Sequence, residues 1–182
     1  MSRIPSASQT VGPFFHFALT DAELGTMAGE DLPGERIRLE IYVVDGDGVY
    51  ALHDCMLELW QADSAGRYAQ SPADFRGFGR LATDDHGGCI FQTIKPGRVP
   101  GPEGRTQAPH INVTVFARGL LKHLHTRIYF AGDRANSEDP VLALIPEERR
   151  GTLMAQPVDG QTGNWHFLIR LQGAGETVFF DV

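Results

Sequence analysis

From Arg36 onward the chain alternates apolar and polar residues with period two. Ile37, Leu39, Ile41 and Val43 fall on one face and Arg38, Glu40 and Tyr42 on the other, the pattern of a strand with one buried side. Asp45, Gly46, Asp47 and Gly48 follow and predict a turn. CMLELW (55–60) repeats the alternation, with Cys55, Leu57 and Leu59 opposite Met56, Glu58 and Trp60. Further strands are predicted at CIFQTI (89–94), HINVTVFA (110–117), HTRIYF (125–130), NWHFLIRL (164–171) and TVFFDV (177–182), while VLALI (141–145) fits either a strand or a helix. Helical periodicity is weak. It shows around 138–153 and at 20–30, where Gly25 and Gly29 interrupt it.

Many short strands separated by turn residues predict an all-β fold, a two-sheet β-sandwich in which amphipathic sheets hide their apolar faces against each other. Minor helices and an extended N-terminal arm complete the expectation. Residues 1–30 read as the arm and its connection and 31–182 as the sandwich domain. The arm carries Phe14, Phe15 and Phe17, rings that need a surface to dock on, in this domain or in a partner. The stretches 68–89 and 95–109 are rich in Gly, Pro and Arg and poor in regular signal. They read as loops carrying a site or an interface.

Composition narrows the classes. A chain of 182 residues fits one domain, and 42% apolar residues can build a core without disulfides or structural metal. Lys and Arg number 16 and Asp and Glu 23, a net charge of −7 that argues against nucleic acid as a partner. Lys95 and Lys122 are the only lysines, and arginine suits fixed carboxylate contacts better. Cys55 and Cys89 lie in alternating apolar segments and read as buried thiols. No apolar run approaches the length of a membrane span, so the expectation is a soluble, cytoplasmic protein that does not bind membranes.

There is no GxGxxG, P-loop, HExxH or GxSxG pattern, which removes sequence support for the common nucleotide-dependent enzymes and hydrolases. His123 and His125 could begin a metal site on one strand face or be structural, with His123 in the less regular connection. His110 opens an extended run on the same face as Asn112 and Thr114; it is a candidate ligand, or a hydrogen-bonded loop histidine. Asp84, Asp85 and His86 before Gly87 and Gly88 read as a hairpin turn. Arg118 ends an apolar strand, where it can clamp a carboxylate or close a salt bridge.

Four segments in order, WQADSAGRY (60–68), FRGFGRLATDDHGGCIFQTIKPG (75–97), APHINVTVFARG (108–119) and HTRIYFAGD (125–133), resemble the intradiol ring-cleavage dioxygenases. The resemblance extends from QTVGPFF (9–15) to GAGETVFFDV (173–182). In iron-bearing members two tyrosines and two histidines hold a ferric ion. The resemblance puts the first tyrosine at Tyr68, the second at Val99 after the KPG turn, and the histidine pair at His110 and Asn112. Gln107 stands at the arginine of the family's R-P-A-H-I-H motif. A valine side chain has no donor atom, so the expectation is a vestigial site with no metal and no catalytic residue of its own.

That defect is what the resemblance implies for the catalytically vacant alpha chains of the family. Fe(III) then belongs to a partner beta chain, and this chain supplies a wall of that partner's pocket. The implied substrate contacts are Thr10, Gly12, Pro13 and Phe14 of the arm and Arg118 at the strand end, with Phe14 standing where related alpha chains carry tyrosine. The implied substrate is a small aromatic acid, 3,4-dihydroxybenzoate, opened by dioxygen to 3-carboxy-cis,cis-muconate, in a higher αβ oligomer. A noncatalytic β-sandwich assembly or binding module is the alternative. An active single-chain catechol dioxygenase is disfavoured by Val99 and Asn112.

Overall fold

The computed structural model describes residues 12, 18–46, 52–69 and 75–181. Ten strands occur among them: β1 Arg36–Val44, β2 Cys55–Gln61, β3 Phe78–Ala82, β4 Gly88–Ile94, β5 Val99–Pro100, β6 Thr106–Gln107, β7 His110–Ala117, β8 Leu124–Phe130, β9 Met154–Pro157 and β10 Asn164–Arg170. Their order is β3-β2-β7-β8-β9-β10-β1-β4, with β5 and β6 paired separately. One layer is β3-β2-β7-β8, antiparallel throughout. The other is β10-β1-β4, parallel between β10 and β1 and antiparallel between β1 and β4. β9 pairs with β8 on one side and β10 on the other, so the two layers share an edge.

The period-two pattern explains the core. Ile37, Leu39, Ile41 and Val43 of β1 meet Leu57 and Leu59 of β2, Val113 and Val115 of β7, and Phe91, Phe167 and Ile169 in one buried cluster. Both cysteines are buried and unpaired, and burial is the chief reason that each thiol is pushed up to about 12. The all-β expectation holds. No helix among the described residues is long and apolar enough to cross a membrane.

Several local expectations change. TVFFDV is not a full strand: it touches β8 through one bridge, Phe180 to His125, and its backbone is tied down piecemeal. Thr126 Oγ1 donates to Val178 O at 2.7 Å, and Val178 N donates to Thr152 Oγ1 at 3.2 Å. The stretch 68–89 contains β3, which Gly79 masked in the sequence. A Cβ on Gly79 would meet Met27 Sδ at 2.8 Å, because the turn Ala22–Gly25 packs against it. The region 138–153 resolves into short turns and a single helical turn, Glu147–Arg150. Asp84 Oδ1 caps His86 N and Gly88 N, as a turn requires. That turn passes from one layer to the other rather than joining paired strands, since β3 pairs with β2 and β4 with β1.

Candidate functional site

Strand β7 organises the candidate residues. Ile111, Val113 and Val115 point into the core, so His110, Asn112 and Thr114 point outward by the alternation of a strand. Register sets their neighbours: Asn112 lies between Trp60 of β2 and Arg127 of β8, and His110 lies beside Tyr129. Residues directly opposite in an antiparallel pair share a face.

Tyr68 follows β2 in a loop and stacks on Trp60, with ring centroids 5.9 Å apart and planes 8° from parallel. Asn112 Nδ2 lies 3.4 Å from both Tyr68 Oη and Trp60 O. Val99 is buried in β5 opposite Gln107 of β6. Gln107 Nε2 donates to Pro100 O at 3.0 Å, and its Oε1 accepts from Arg127 Nη1 at 2.7 Å. The fold therefore links Tyr68, Asn112, Arg127, Gln107 and Val99 through a chain of neighbours on one outer face. Gly66 fixes the approach of the two loops. Its φ is +76°, and a Cβ there would collide with Arg98 O.

His110 is 3% exposed. Its Nδ1 lies 2.8 Å from Ala108 O, and a carbonyl only accepts, so Nδ1 carries the proton and Nε2 keeps a lone pair. Nε2 is buried without a hydrogen-bond partner. Burial, reinforced by the Arg127 charge, pulls the ring down to about 4, so it is neutral at pH 7. Asp139 pins the approach to this strand and was not found by sequence reasoning. Its carboxylate accepts from Ala108 N at 2.7 Å, Val141 N and Leu142 N at 2.8 Å, and Tyr129 Oη at 3.3 Å. Its only sequence signal is the Asp-Pro dipeptide, a turn initiator.

Arg118 is elsewhere. It follows the last residue of β7, eight positions after His110, which at the rise of an extended strand is roughly 25 Å away. Its Nε pairs with Asp54 Oδ2 at 3.1 Å, and its side chain is 73% exposed. Gly12 is exposed, with nothing within 4 Å of a Cβ placed on it. Thr10, Pro13 and Phe14 lie outside the described residues. His123 and His125 meet edge to face at 4.7 Å. Among the described residues no three His, Cys, Asp or Glu side chains gather to hold a metal.

A model of the Dioxygenase family (Dioxygenase_C) matches residues 10–173. The chain belongs to the intradiol dioxygenase family. It is 44% identical to the protocatechuate 3,4-dioxygenase alpha chain of Burkholderia cepacia, over 96% of each chain. It is 45% identical to that of Pseudomonas putida, over 96% of this chain and 94% of the relative. The corresponding beta chain of Burkholderia cepacia is 33% identical over 93% of this chain and 77% of its own length. Among solved structures, the dioxygenase domain of a carbohydrate-binding fusion from Streptomyces sp. SirexAA-E superposes with a TM-score of 0.67 at 26% identity, covering 94% of this chain and 100% of that one. 3-Chlorocatechol 1,2-dioxygenase from Rhodococcus opacus 1CP, at 21% identity, shares the fold with a TM-score of 0.66 over 93% of this chain and 68% of that one.

For this intradiol dioxygenase the donor chemistry is decisive. Of the four positions the resemblance assigns to the metal, Val99 offers no donor and Asn112 offers only a neutral amide, already directed at Tyr68 and Trp60. A phenolate and one imidazole do not fit a ferric ion that needs four protein ligands.

Proposed function

We propose that the chain is the noncatalytic alpha subunit of a protocatechuate 3,4-dioxygenase, assembled with a beta chain that carries the Fe(III). The similarity to two alpha chains along nearly their full lengths carries this reading. The vacated ligand positions and the related beta chain support it. The assembly would open 3,4-dihydroxybenzoate between its hydroxyl-bearing carbons, placing both atoms of dioxygen in 3-carboxy-cis,cis-muconate, in the cytoplasm. The partner's ferric ion would supply the activation of the diol toward oxygen.

This chain's part is positioning. Thr10, Gly12, Pro13 and Phe14 in the 1–30 arm would wall the partner's pocket, and Arg118 would meet the substrate carboxylate. Asp54 holds Nε of that guanidinium, which fixes the orientation of the Nη fork for a bidentate contact. A pre-oriented charge loses little freedom when the substrate arrives.

Co-expression with a beta partner, followed by metal analysis and oxygen uptake, tests the reading. Iron and activity are expected only in the complex; stoichiometric iron with full activity in this chain alone would overturn it. In the complex, Arg118→Ala should lower kcat/KM for 3,4-dihydroxybenzoate by roughly 10- to 100-fold, the scale of a charge-assisted hydrogen bond. Catechol, which lacks the carboxylate, should lose far less. Equal losses would remove Arg118 from the anchor role.

A further inference from the structure

The outer face of β7 and β8 holds a cavity of about 380 Å³, bounded by Asn112, His125, Arg127, Val141 and Phe180 among others. That size lies within the range of small-ligand pockets. Its wall is apolar apart from a few groups, of which the Arg127 guanidinium is the only fixed charge.

Arg127 is half-buried, and its Nη1 donates to Gln107 Oε1 at 2.7 Å and reaches Tyr129 Oη at 3.4 Å. Both acceptors are neutral. Among the described residues no carboxylate forms an ion pair with it. The acid beyond Tyr129 is Asp139, whose oxygens are engaged by three backbone N–H groups and the Tyr129 hydroxyl. A cation drawn out of water beside neutral partners gains from an anion brought to it. The Phe180 ring lies 5.9 Å from the guanidinium carbon and provides a flat apolar wall at the charge. On the same sheet face, His110 Nε2 is a buried polar atom without a hydrogen-bond partner.

We propose that this cavity binds a small aromatic carboxylate, with the carboxylate on Arg127 and the ring between Phe180 and Val141. The inference uses only this chain's own residues and does not depend on the subunit assignment. A cationic side chain thus stands beside the vacated metal positions, and the cavity keeps affinity for an anion without redox chemistry.

Titration of the full chain with 4-fluorobenzoate, followed by fluorine NMR at pH 7, tests it. Saturable binding below about 1 mM is expected, a modest affinity for one charged contact and one buried ring. Benzoate should displace the probe and benzamide, equal in shape but uncharged, should not. Arg127→Gln should weaken binding by at least about tenfold, the scale of one charge-assisted contact, and Arg127→Lys should fall between. The titration in Arg118→Ala should keep its wild-type midpoint. Absence of saturation, equal displacement by benzamide, or loss of binding in Arg118→Ala instead of Arg127→Gln would overturn the proposal. The benzoate and benzamide comparison uses the unaltered chain, so it decides the matter even where an Arg127 variant fails to fold.

Discussion

His110 keeps one proton on Nδ1 and a buried lone pair on Nε2, and this has a measurable price in acid. Its folded value is depressed to about 4 from the ordinary 6.5, so between those values the unfolded chain binds a proton that the folded chain refuses. Stability from this group is complete above about pH 6.5 and declines as pH falls toward 4. Urea unfolding at pH 7 and pH 4.5 should therefore show the wild type losing on the order of 2–3 kcal/mol more than His110→Gln; parallel losses would refute the assignment. Asp54 allows a smaller test at the other end of β7. In the complex, Asp54→Ala should raise KM for 3,4-dihydroxybenzoate roughly two- to fivefold, the worth of an exposed ion pair, with kcat little changed. Val99 was legible as a position without a donor, because a valine side chain has none whatever its surroundings. Arg127 and Asp139 were not legible. Their roles depend on which strand lies beside which, and HTRIYF does not announce that Arg127 will face Asn112.

At the scale of elements, clean alternation revealed β1, β2, β4, β7, β8 and β10, because each buries one face in a shared core. Where packing is set by a close approach rather than a pattern, the sequence was silent. Gly79 removes a side chain from β3 so that Met27 can lie against it, and the closing segment makes hydrogen bonds to separate elements instead of a ladder. Gly66 belongs to the same class. It brings the loop bearing Tyr68 against the loop bearing Val99, with positive φ and no room for a Cβ beside Arg98 O. Gly66→Ala combines backbone strain with a backbone clash and should destabilise by roughly 2–4 kcal/mol. Thermal unfolding would show it, and an unchanged Tm would mean that the two loops separate freely.

At the scale of the whole molecule, β9 pairs with both layers, and one cluster takes side chains from both. The largest cluster belongs to both layers, and only small satellite clusters, around Tyr129 and around Ile94, draw on one. Unfolding should be a single transition, with tryptophan fluorescence and far-UV circular dichroism coincident in urea. Trp165 reports the interior through its edge-to-face contact with Phe130 at 5.0 Å, and Trp60 the outer face through Tyr68. Two separated transitions would mean independent layers. The length of β7 also separates its two ends energetically. Its two ends are held apart by a strand paired on both sides, and substitutions at such a distance usually act additively. Changes around Asn112 at one end and around Arg118 at the other can therefore be combined, and their effects on stability should sum to within about 0.5 kcal/mol.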